Sequence, residues 1–411
     1  MGTIAEFAGE PSVSGDMRDS RMTILDSVLN LYHWLEDEDY CGYDTFDGLN
    51  SRLLRPLTFE TSLLRTVLQQ GIRRFPINLR PLVGVSKARS SKAMGFIARG
   101  LIRLSNATGK SEWDAKAQDS LEWLIENTEP GFSGACWGNH FDYQSRNSFV
   151  PKGSPSVVWT SLIGHAFLDG YEHLRNEIFY RIADSACQHI LHDISTYKED
   201  DGVCISYFPA QQIQIHNAST LAASLLARIY SYGRQEAYRD LAERAIRYTA
   251  RHQRPDGSWY YGEKPNLRWI DNFHTAYVLD CFKHYAAGTG DSSFQDNMMK
   301  GYRYWKSTFF LADGTPRYYN TKTLPLDIQC SSQAIDTLLF FSELDCEAVP
   351  LALKVAQWTI KNMQDRSGYF YYRRYSSWLV NTTPTLHWGQ ATMLCALAGL
   401  VLKLSDRKKA I

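Results

Sequence analysis

The turn Gln253-Arg254-Pro255-Asp256-Gly257-Ser258-Trp259 is one of several similar turns that recur along the sequence. It follows an amphipathic stretch at 238–252 and precedes a stretch at 271–285 that is apolar on nearly every face. Comparable turns place glycines at 134, 202, 257, 314 and 368, and the last four are 257 − 202 = 55, 314 − 257 = 57 and 368 − 314 = 54 residues apart. A regular spacing of this size indicates one supersecondary unit used many times.

Each unit contains two kinds of predicted helix. A helix with one apolar stripe is wet on its other side, whereas a helix that is apolar all round is buried. The predicted buried helices are 90–105, 156–168, 216–230, 271–285, 327–341 and 387–402. The outer partner of the first is either 22–34 or 59–70. The alternation predicts an all-α fold, an (α/α)6 toroid of alternating outer and inner helices.

The predicted ring of helical hairpins occupies residues 85–411. Residues 21–84 are predicted to form N-terminal helices and an acidic, aromatic loop that closes the ring, and residues 1–20 a mobile polar tail. No Pro/Gly/Ser-rich linker divides the chain, so a single closed ring is favoured over two domains.

Composition excludes several classes of partner. Lysine plus arginine and aspartate plus glutamate both number 44, so no overall field attracts nucleic acid or an anionic membrane. No apolar run is long enough for a membrane span. The eight cysteines are scattered without a C-x-x-C pair, which favours reduced thiols and a cytoplasmic location. No glycine-rich phosphate loop follows a strand, so no cofactor is expected.

The turn at 253–259 resembles the Q-x-x-D-G-S-W element of the terpenoid cyclase and protein prenyltransferase toroids, and 364–369 is a weaker copy with Tyr369 in place of tryptophan. The helix alternation is also similar to six-hairpin glycosidases, uronyl hydrolases, toroid polysaccharide lyases and the helical domain of glucuronyl C5-epimerases. The resemblance spans about residues 85–404. A glutamine and a tryptophan that brace a helix end are structural, so the resemblance implies a toroid rather than one reaction.

The specific chemistry of the cyclases is missing from the sequence. Their D-x-D-D acid motif has no counterpart, and no Cys-His dipeptide occurs. Asp327, Cys330 and His387 come nearest to the prenyltransferase zinc set, with a wider spacing between aspartate and cysteine. No metal is predicted, and zinc on these three residues is the alternative.

Most of the predicted inner helices begin with polar residues that a buried helix otherwise avoids. Spacings of 271 − 216 = 55, 327 − 271 = 56 and 387 − 327 = 60 residues put these residues at equivalent ends of neighbouring helices. In a ring, equivalent ends converge on one mouth, which is therefore the predicted active site. The catalytic candidates are Asp271, Asp327, His216, His274 and His387. The alternative is that the aspartates only cap helices and His216 and His387 bond backbone carbonyls in the core.

Aromatic and amide side chains near the same ends complete the predicted site. Sugar rings stack their C–H faces on aromatic rings, so a concentration of aromatic residues favours a saccharide cleft. The predicted substrate-binding residues are Trp137, Asn139, His140, Tyr143, Asn217, Trp259, Trp269, Asn272, Trp388 and Gln390. The alternative is that the aromatic residues wedge outer helices against inner ones.

These observations favour a carbohydrate-active enzyme that acts on a polysaccharide or a lipid-linked sugar, with an oligosaccharide or acidic sugar as substrate. Glycoside hydrolysis would use Asp271 and Asp327 as its two carboxylates.

Elimination or uronyl epimerisation would instead use His216 or His274 as base, Asn217 or Asn272 to bind a carboxylate and Tyr143 as acid. The alternatives are a terpenoid cyclase or prenyltransferase-like enzyme and a non-catalytic glycan-binding scaffold.

Overall fold

Helices that are buried on nearly every face alternate along the chain with helices that are half exposed. The computed structural model describes residues 13–146, 148–209 and 211–406. Within these ranges it has thirteen α-helices: α1 Val13–Asp37, α2 Ser62–Arg74, α3 Ser91–Thr108, α4 Glu112–Glu126, α5 Val157–Leu174, α6 Glu177–His192, α7 His216–Gly233, α8 Glu236–Arg251, α9 Asn272–Thr289, α10 Gln295–Thr308, α11 Ile328–Phe340, α12 Ala348–Met363 and α13 Ala391–Asp406.

In the described part of the chain, seven short strands lie in the connections between helices. They form antiparallel pairs or a three-stranded ladder: β1 Tyr143–Gln144 with β2 Phe149–Val150, β3 Thr196–Glu199 with β4 Gly202–Ile205, and β5 Leu326–Asp327 with β6 Arg373–Arg374 and β7 Val380–Asn381. A π-helical turn, Leu386–Gln390, leads into α13.

The inner ring consists of α3, α5, α7, α9, α11 and α13, each packed on the next, and α13 packs back on α3. These helices are parallel, because residues at equivalent positions meet: His165 of α5 bonds Ser224 of α7, and Ser332 of α11 bonds Thr392 of α13. Their N-termini therefore share one mouth, called here the N-terminal mouth. The predicted all-α (α/α)6 toroid is confirmed.

The sixth outer helix is α1, which packs on α13 and α12. It uses a stripe that includes Ile24, Val28 and Leu31, all fully buried. Of the two stretches predicted as the outer partner of 90–105, 22–34 is therefore the one that joins the outer ring, but it packs mainly on α13, whereas the outer helix packed on α3 is α4. The ring thus draws on residues before the predicted boundary at 85, and α1 includes 13–20 of the predicted tail; residues 1–12 lie outside the described ranges.

The recurring turn joins successive outer helices. Trp259 is buried and donates its Nε1–H to the carbonyl of Thr249 at 2.8 Å, which fastens the turn to the end of α8. Gly257 has φ 96°, and a Cβ there would lie 2.7 Å from the carbonyl oxygen of Lys300 on α10. Only glycine permits both the left-handed backbone and this approach. Gly368 meets Asn30 of α1 in the same way, which closes the outer ring.

The helix that passes a length and composition test for a membrane span is the Leu386–Ser405 segment, within the described part of the chain. It belongs to the inner ring, and 72% of its tested window is buried inside the protein. The core helix of a globular protein passes the same test, so this is weak support for a span.

Candidate active site

One histidine–aspartate pair lies at the start of α9. Asp271 caps the helix: its Oδ1 accepts the backbone N–H of His274 at 3.0 Å. Its Oδ2 accepts Nδ1–H of the same histidine at 2.7 Å and Nε1–H of Trp269 at 2.8 Å. Asp271 is buried, whereas the His274 side chain is 20% exposed. This bond fixes the proton on Nδ1 and leaves Nε2 as the free ring nitrogen, as a general base requires.

A second pair joins the N-terminal segment to the π-helical turn. The Asp44 side chain is fully buried, and its Oδ2 lies 2.8 Å from Nδ1 of His387 and 3.4 Å from Nε2 of His140. Its Oδ1 accepts the backbone N–H of His387 at 3.0 Å. Burial lowers the pKa of His387 more than the charge of Asp44 raises it, and burial lowers the pKa of His140 to about 4. Both rings are therefore neutral at neutral pH.

A buried salt bridge holds Asp44 in place. Arg80 donates from Nη2 to the Asp44 carbonyl and from Nε to Asp47 Oδ1, both at 2.7 Å, and Asp47 Oδ2 accepts the backbone N–H of Asp44 at 2.8 Å. Burial raises the pKa of Asp47 to about 6 despite the attraction of Arg80. Through Asp44, the acidic segment is thus held against the start of the last inner helix, beside His387.

A buried lysine completes this side of the mouth. Lys92, in the first turn of α3, is 6% exposed, and its Nζ lies 5.9 Å from the ring centroids of both Phe96 and Trp388. Burial lowers its pKa to about 8, against the opposing influence of Asp44. An amine with such a pKa exchanges protons near neutral pH and is suited to acid–base work.

Aromatic rings connect the two pairs, and most of these rings are partly exposed. The Trp388 centroid lies 5.4 Å from Phe273, next to His274, and 6.1 Å from Phe46. Tyr261 lies 4.4 Å from His274. Burial raises the pKa of Tyr261 well above its usual value, and that of Tyr207 to about 12. Both hydroxyls stay protonated and can donate hydrogen bonds to a ligand.

Asp327, one of the two carboxylates predicted for hydrolysis, is occupied by other contacts. Asp327 Oδ1 accepts from the backbone of Gln329 at 3.0 Å and from Nε1 of Trp388 at 2.9 Å, and Oδ2 accepts from Nε and Nη2 of Arg373. This carboxylate is committed to capping α11 and orienting Trp388.

His216 is likewise placed in the core. Its Nε2 bonds Glu263 at 2.7 Å, and its ring stacks on Tyr248. Its use as base, like the use of Asp327 as an acid, does not fit the structure. Neither residue is available, because the starts of α7 and α11 are covered by the segments that connect the helices instead of being open to the mouth.

Four predicted substrate-binding residues are also structural braces. Trp137 and Trp259 are buried and donate to the carbonyls that end α4 and α8. Asn272 bonds Trp305 and the Arg317 carbonyl, and Gln390 bonds the backbone of Phe370. The wedge interpretation is correct for the two tryptophans, because outer helices need a buried anchor, and the two amides are occupied by bonds within the protein.

The other predicted binding residues lie at or beside the mouth. His140, Tyr143, Trp269 and Trp388 are partly exposed there. Asn139 lies in the crossover before β1, partly exposed. Asn217 is buried, and its Oδ1 has no hydrogen-bond partner within the described ranges. With His216 and His274 it borders a small cavity of about 10 Å³, enough for one water molecule.

The zinc alternative is not assembled. Within the described residues, no three His, Cys, Asp or Glu side chains are grouped as metal ligands. Asp327 faces Arg373, His387 faces Asp44 and Cys330 is buried in the core.

Sequence reasoning missed Asp44, Lys92, Tyr207 and Tyr261. Lys92 had a usable signal, since it is a charged residue at the start of an inner helix, like the polar starts of its neighbours. Asp44 had none, because 387 − 44 = 343 residues separate it from His387.

A cavity of about 450 Å³ opens at the opposite mouth. Its charges are mostly paired: Asp169 lies 2.7 Å from both Arg99 and Arg228, which joins three inner helices. Asp280 is the exception, because its buried Oδ1 lacks a hydrogen-bond partner in the described part of the chain. His165 and His284 also line this cavity, but neither has a carboxylate partner among the described residues. His274 has such a partner in Asp271, so the N-terminal mouth is the stronger candidate site.

No family model and no curated protein matches the sequence. Solved structures do match the fold. A cellobiose 2-epimerase from Bacillus thermoamylovorans is 11% identical, with TM-score 0.57 over 76% of this chain and 89% of that one. A GH76 α-mannanase from Bacteroides thetaiotaomicron is 14% identical, with TM-score 0.57 over 78% and 86%. A polysaccharide lyase is 9% identical, with TM-score 0.59 over 95% and 99%.

The chain has the (α/α)6 toroid fold. Its structural neighbours are sugar epimerases, glycoside hydrolases and a polysaccharide lyase, so they act on sugars or polysaccharides. At these identities the likeness establishes the architecture, and the reaction has to be argued from the side chains at the mouth.

Proposed function

We propose that this protein is a carbohydrate-active enzyme that moves a proton at a sugar carbon next to a carbonyl or carboxylate group. The observation that carries the proposal is the His274–Asp271 pair, with Nδ1 tied at 2.7 Å and Nε2 left free beside aromatic rings. Epimerisation and β-elimination share this first step, and structures of both kinds of enzyme are among those that match the fold.

The residues at the mouth can accept the proton and stabilise the charge that this step produces. Nε2 of His274 takes the proton from the sugar carbon, and the electron pair of the broken C–H bond moves onto the carbonyl or carboxylate oxygen as an enolate. Asp271 stabilises the resulting imidazolium. Donors such as the Tyr261 hydroxyl and the Lys92 ammonium stabilise the enolate oxygen.

The enolate then has two outcomes. Return of a proton to the opposite face of the carbon, from a second acid, gives the epimer. Expulsion of the oxygen substituent at the β-carbon, with a proton donated to the leaving oxygen, gives an unsaturated sugar. The Lys92 ammonium is suited to either proton donation, because its pKa of about 8 leaves it largely charged at pH 7.

Hydrolysis has weaker support. It needs one carboxyl held protonated and one ionised. Asp271 is hydrogen-bonded to His274 and Trp269, and Asp327 is ion-paired with Arg373, so both oxygens of each carboxylate are already occupied.

The test is proton exchange in D2O with neutral and uronate-containing oligosaccharides, followed by NMR of the sugar carbons. We expect either deuterium at one sugar carbon together with the epimer, or, for elimination, an unsaturated end that has lost the proton of that carbon. His274→Gln should abolish exchange, and Asp271→Asn should reduce it severely, because the wrong tautomer is then favoured.

The matched control is His173→Gln. His173 also pairs with an aspartate at 2.7 Å and is also 20% exposed, but it lies at the far end of α5, at the opposite mouth. It should leave exchange intact. Hydrolysis without exchange would refute the proposal. Saccharide binding with no turnover would favour the non-catalytic scaffold, and turnover of isoprenoid diphosphates alone would favour the cyclase alternative. A cytoplasmic location remains a prediction.

A further inference from the structure

The segment that covers the N-terminal mouth, residues 51–84, carries an unusual apolar surface, called here the cover surface. Sixteen large hydrophobic side chains are exposed in the described part of the chain, and nine of them fall in this segment. They are Leu53, Leu57, Phe59, Leu63, Leu64, Val67, Phe75, Ile77 and Leu82, and Phe59 reaches 76% exposure. Such a concentration marks an interaction site, because single exposed apolar residues are normally scattered.

Helix α2 of the cover surface turns an apolar face to the solvent. In α2, Gln69 and Ile72 face the protein, whereas Leu63 and Val67, four residues apart and on one face, are 70% and 60% exposed. Of these two buried residues one is polar, and Gln69 exchanges two hydrogen bonds with the backbone of Gln144, at 2.9 and 3.1 Å. The apolar face of α2 has therefore been left for something outside the chain.

The cover surface is also basic. Residues 51–84 contain six arginines and one acidic residue, Glu60, although Arg80 is buried in its salt bridge with Asp47 and is not part of the surface. Arg52 and Arg74 are exposed and have no ion-pair partner among the residues described. Balanced overall composition, which argued against an anionic membrane, concealed this local charge.

The surface adjoins the candidate active site. Arg73 of α2 lies with its guanidinium 4.5 Å from the centroid of Phe46, one of the rings that line the mouth. Asn381 of β7 donates to the carbonyl of Phe75 at 2.7 Å, which brings the β6–β7 hairpin against the end of α2. The tip of this hairpin carries Trp378, which is 80% exposed.

We propose that the cover surface docks on a lipid bilayer that contains anionic lipids. Leucine, phenylalanine and tryptophan side chains beside unpaired arginines are the composition of helices that lie in a membrane interface, where apolar groups enter the acyl boundary and arginines contact lipid phosphates. Docking places the N-terminal mouth at the bilayer surface. If the proposed function is correct, on which this step rests, the substrate is a saccharide attached to a lipid anchor.

Two other occupants fit less well. A second copy of the chain related by a two-fold axis would place two surfaces with exposed, unpaired arginines against each other, which is unfavourable. A protein partner would need an acidic face with apolar residues, and it is distinguished from lipid by the experiment.

The experiment is flotation of the full chain with vesicles of phosphatidylcholine alone and of phosphatidylcholine with phosphatidylglycerol. We expect flotation with the anionic vesicles, weakened by salt. Leu63→Asp with Val67→Asp should abolish it, and Arg52→Glu with Arg74→Glu should weaken binding by roughly tenfold or more. The controls are Ile178→Asp and Arg181→Glu, exposed residues of α6 near the opposite mouth, which should float like the wild type.

Flotation is measured without any sugar, so its failure is separate from failure of the proposed function. No flotation of the wild type, or equal flotation of the Leu63→Asp/Val67→Asp variant, overturns the docking proposal. A dimer that this variant dissociates, with no vesicle binding, assigns the surface to self-association instead. Proton exchange on a vesicle-anchored glycan should fall in the same variant, while exchange on the free glycan stays unchanged.

Discussion

Replacing Lys92 by methionine should stabilise the protein at neutral pH. Lys92 is 6% exposed, and burial lowers its pKa from 10.5 to about 8. The shift of 10.5 − 8 = 2.5 units means that the folded state holds the charged amine at a cost of about 3 kcal/mol relative to the unfolded chain. Methionine has a similar length, carries no charge and can pack against Phe96 and Trp388.

The sign of the pH dependence identifies the cause. Between pH 8 and 10.5 the unfolded chain binds a proton that the folded protein has released, so the Lys92 contribution to wild-type stability improves as pH rises through this window. The advantage of Lys92→Met should therefore be up to about 3 kcal/mol at pH 7 and fall below about 1 kcal/mol by pH 10.

The measurement is urea unfolding followed by tryptophan fluorescence at both pH values. Lys110→Met removes a charge from a side chain that is 65% exposed and serves as the control, with little change expected at either pH. A Lys92→Met variant that is less stable than the wild type at pH 7, or whose difference does not depend on pH, would refute the reasoning. The same variant should lose proton exchange, as expected where a site retains a charge that stability disfavours.

Three further outcomes concern groups outside the proton-transfer site. Burial, reinforced by the charge of Asp336, raises the pKa of Asp280. The folded protein therefore loses stability as the pH rises from acid, because the Asp280 carboxyl must ionise in the interior. Asp280→Asn should show a flatter dependence of Tm on pH than the wild type. Trp259→Ala should lower the free energy of unfolding by about 3–5 kcal/mol, since it removes a buried anchor of an outer helix. Arg373→Met should cost about 3–5 kcal/mol in urea unfolding, because it leaves Asp327 buried without its cation, and an unchanged midpoint would contradict this.

Much of the fold was predictable from local patterns. The turn glycines recur because each meets the next outer helix, as Gly257 meets Lys300, so the repeat in the sequence is a direct imprint of packing. The Asp271–His274 pair was also accessible, since residues three apart share a helix face. The choice of α1 as the sixth outer helix was not, because two amphipathic stretches were available and only packing distinguishes them.

By itself, the sequence determined the alternation of helices, the closed ring and the polar starts of the inner helices, since all depend on periodicity over short distances. Tertiary structure alone decided which of those polar groups remain free. Asp327 became committed to Arg373 and His216 to Glu263, whereas Asp44 joined His387 across almost the whole chain. A hydrogen bond depends on positions set by the packing of the entire ring, so no local spacing specifies which partner a buried carboxylate finds.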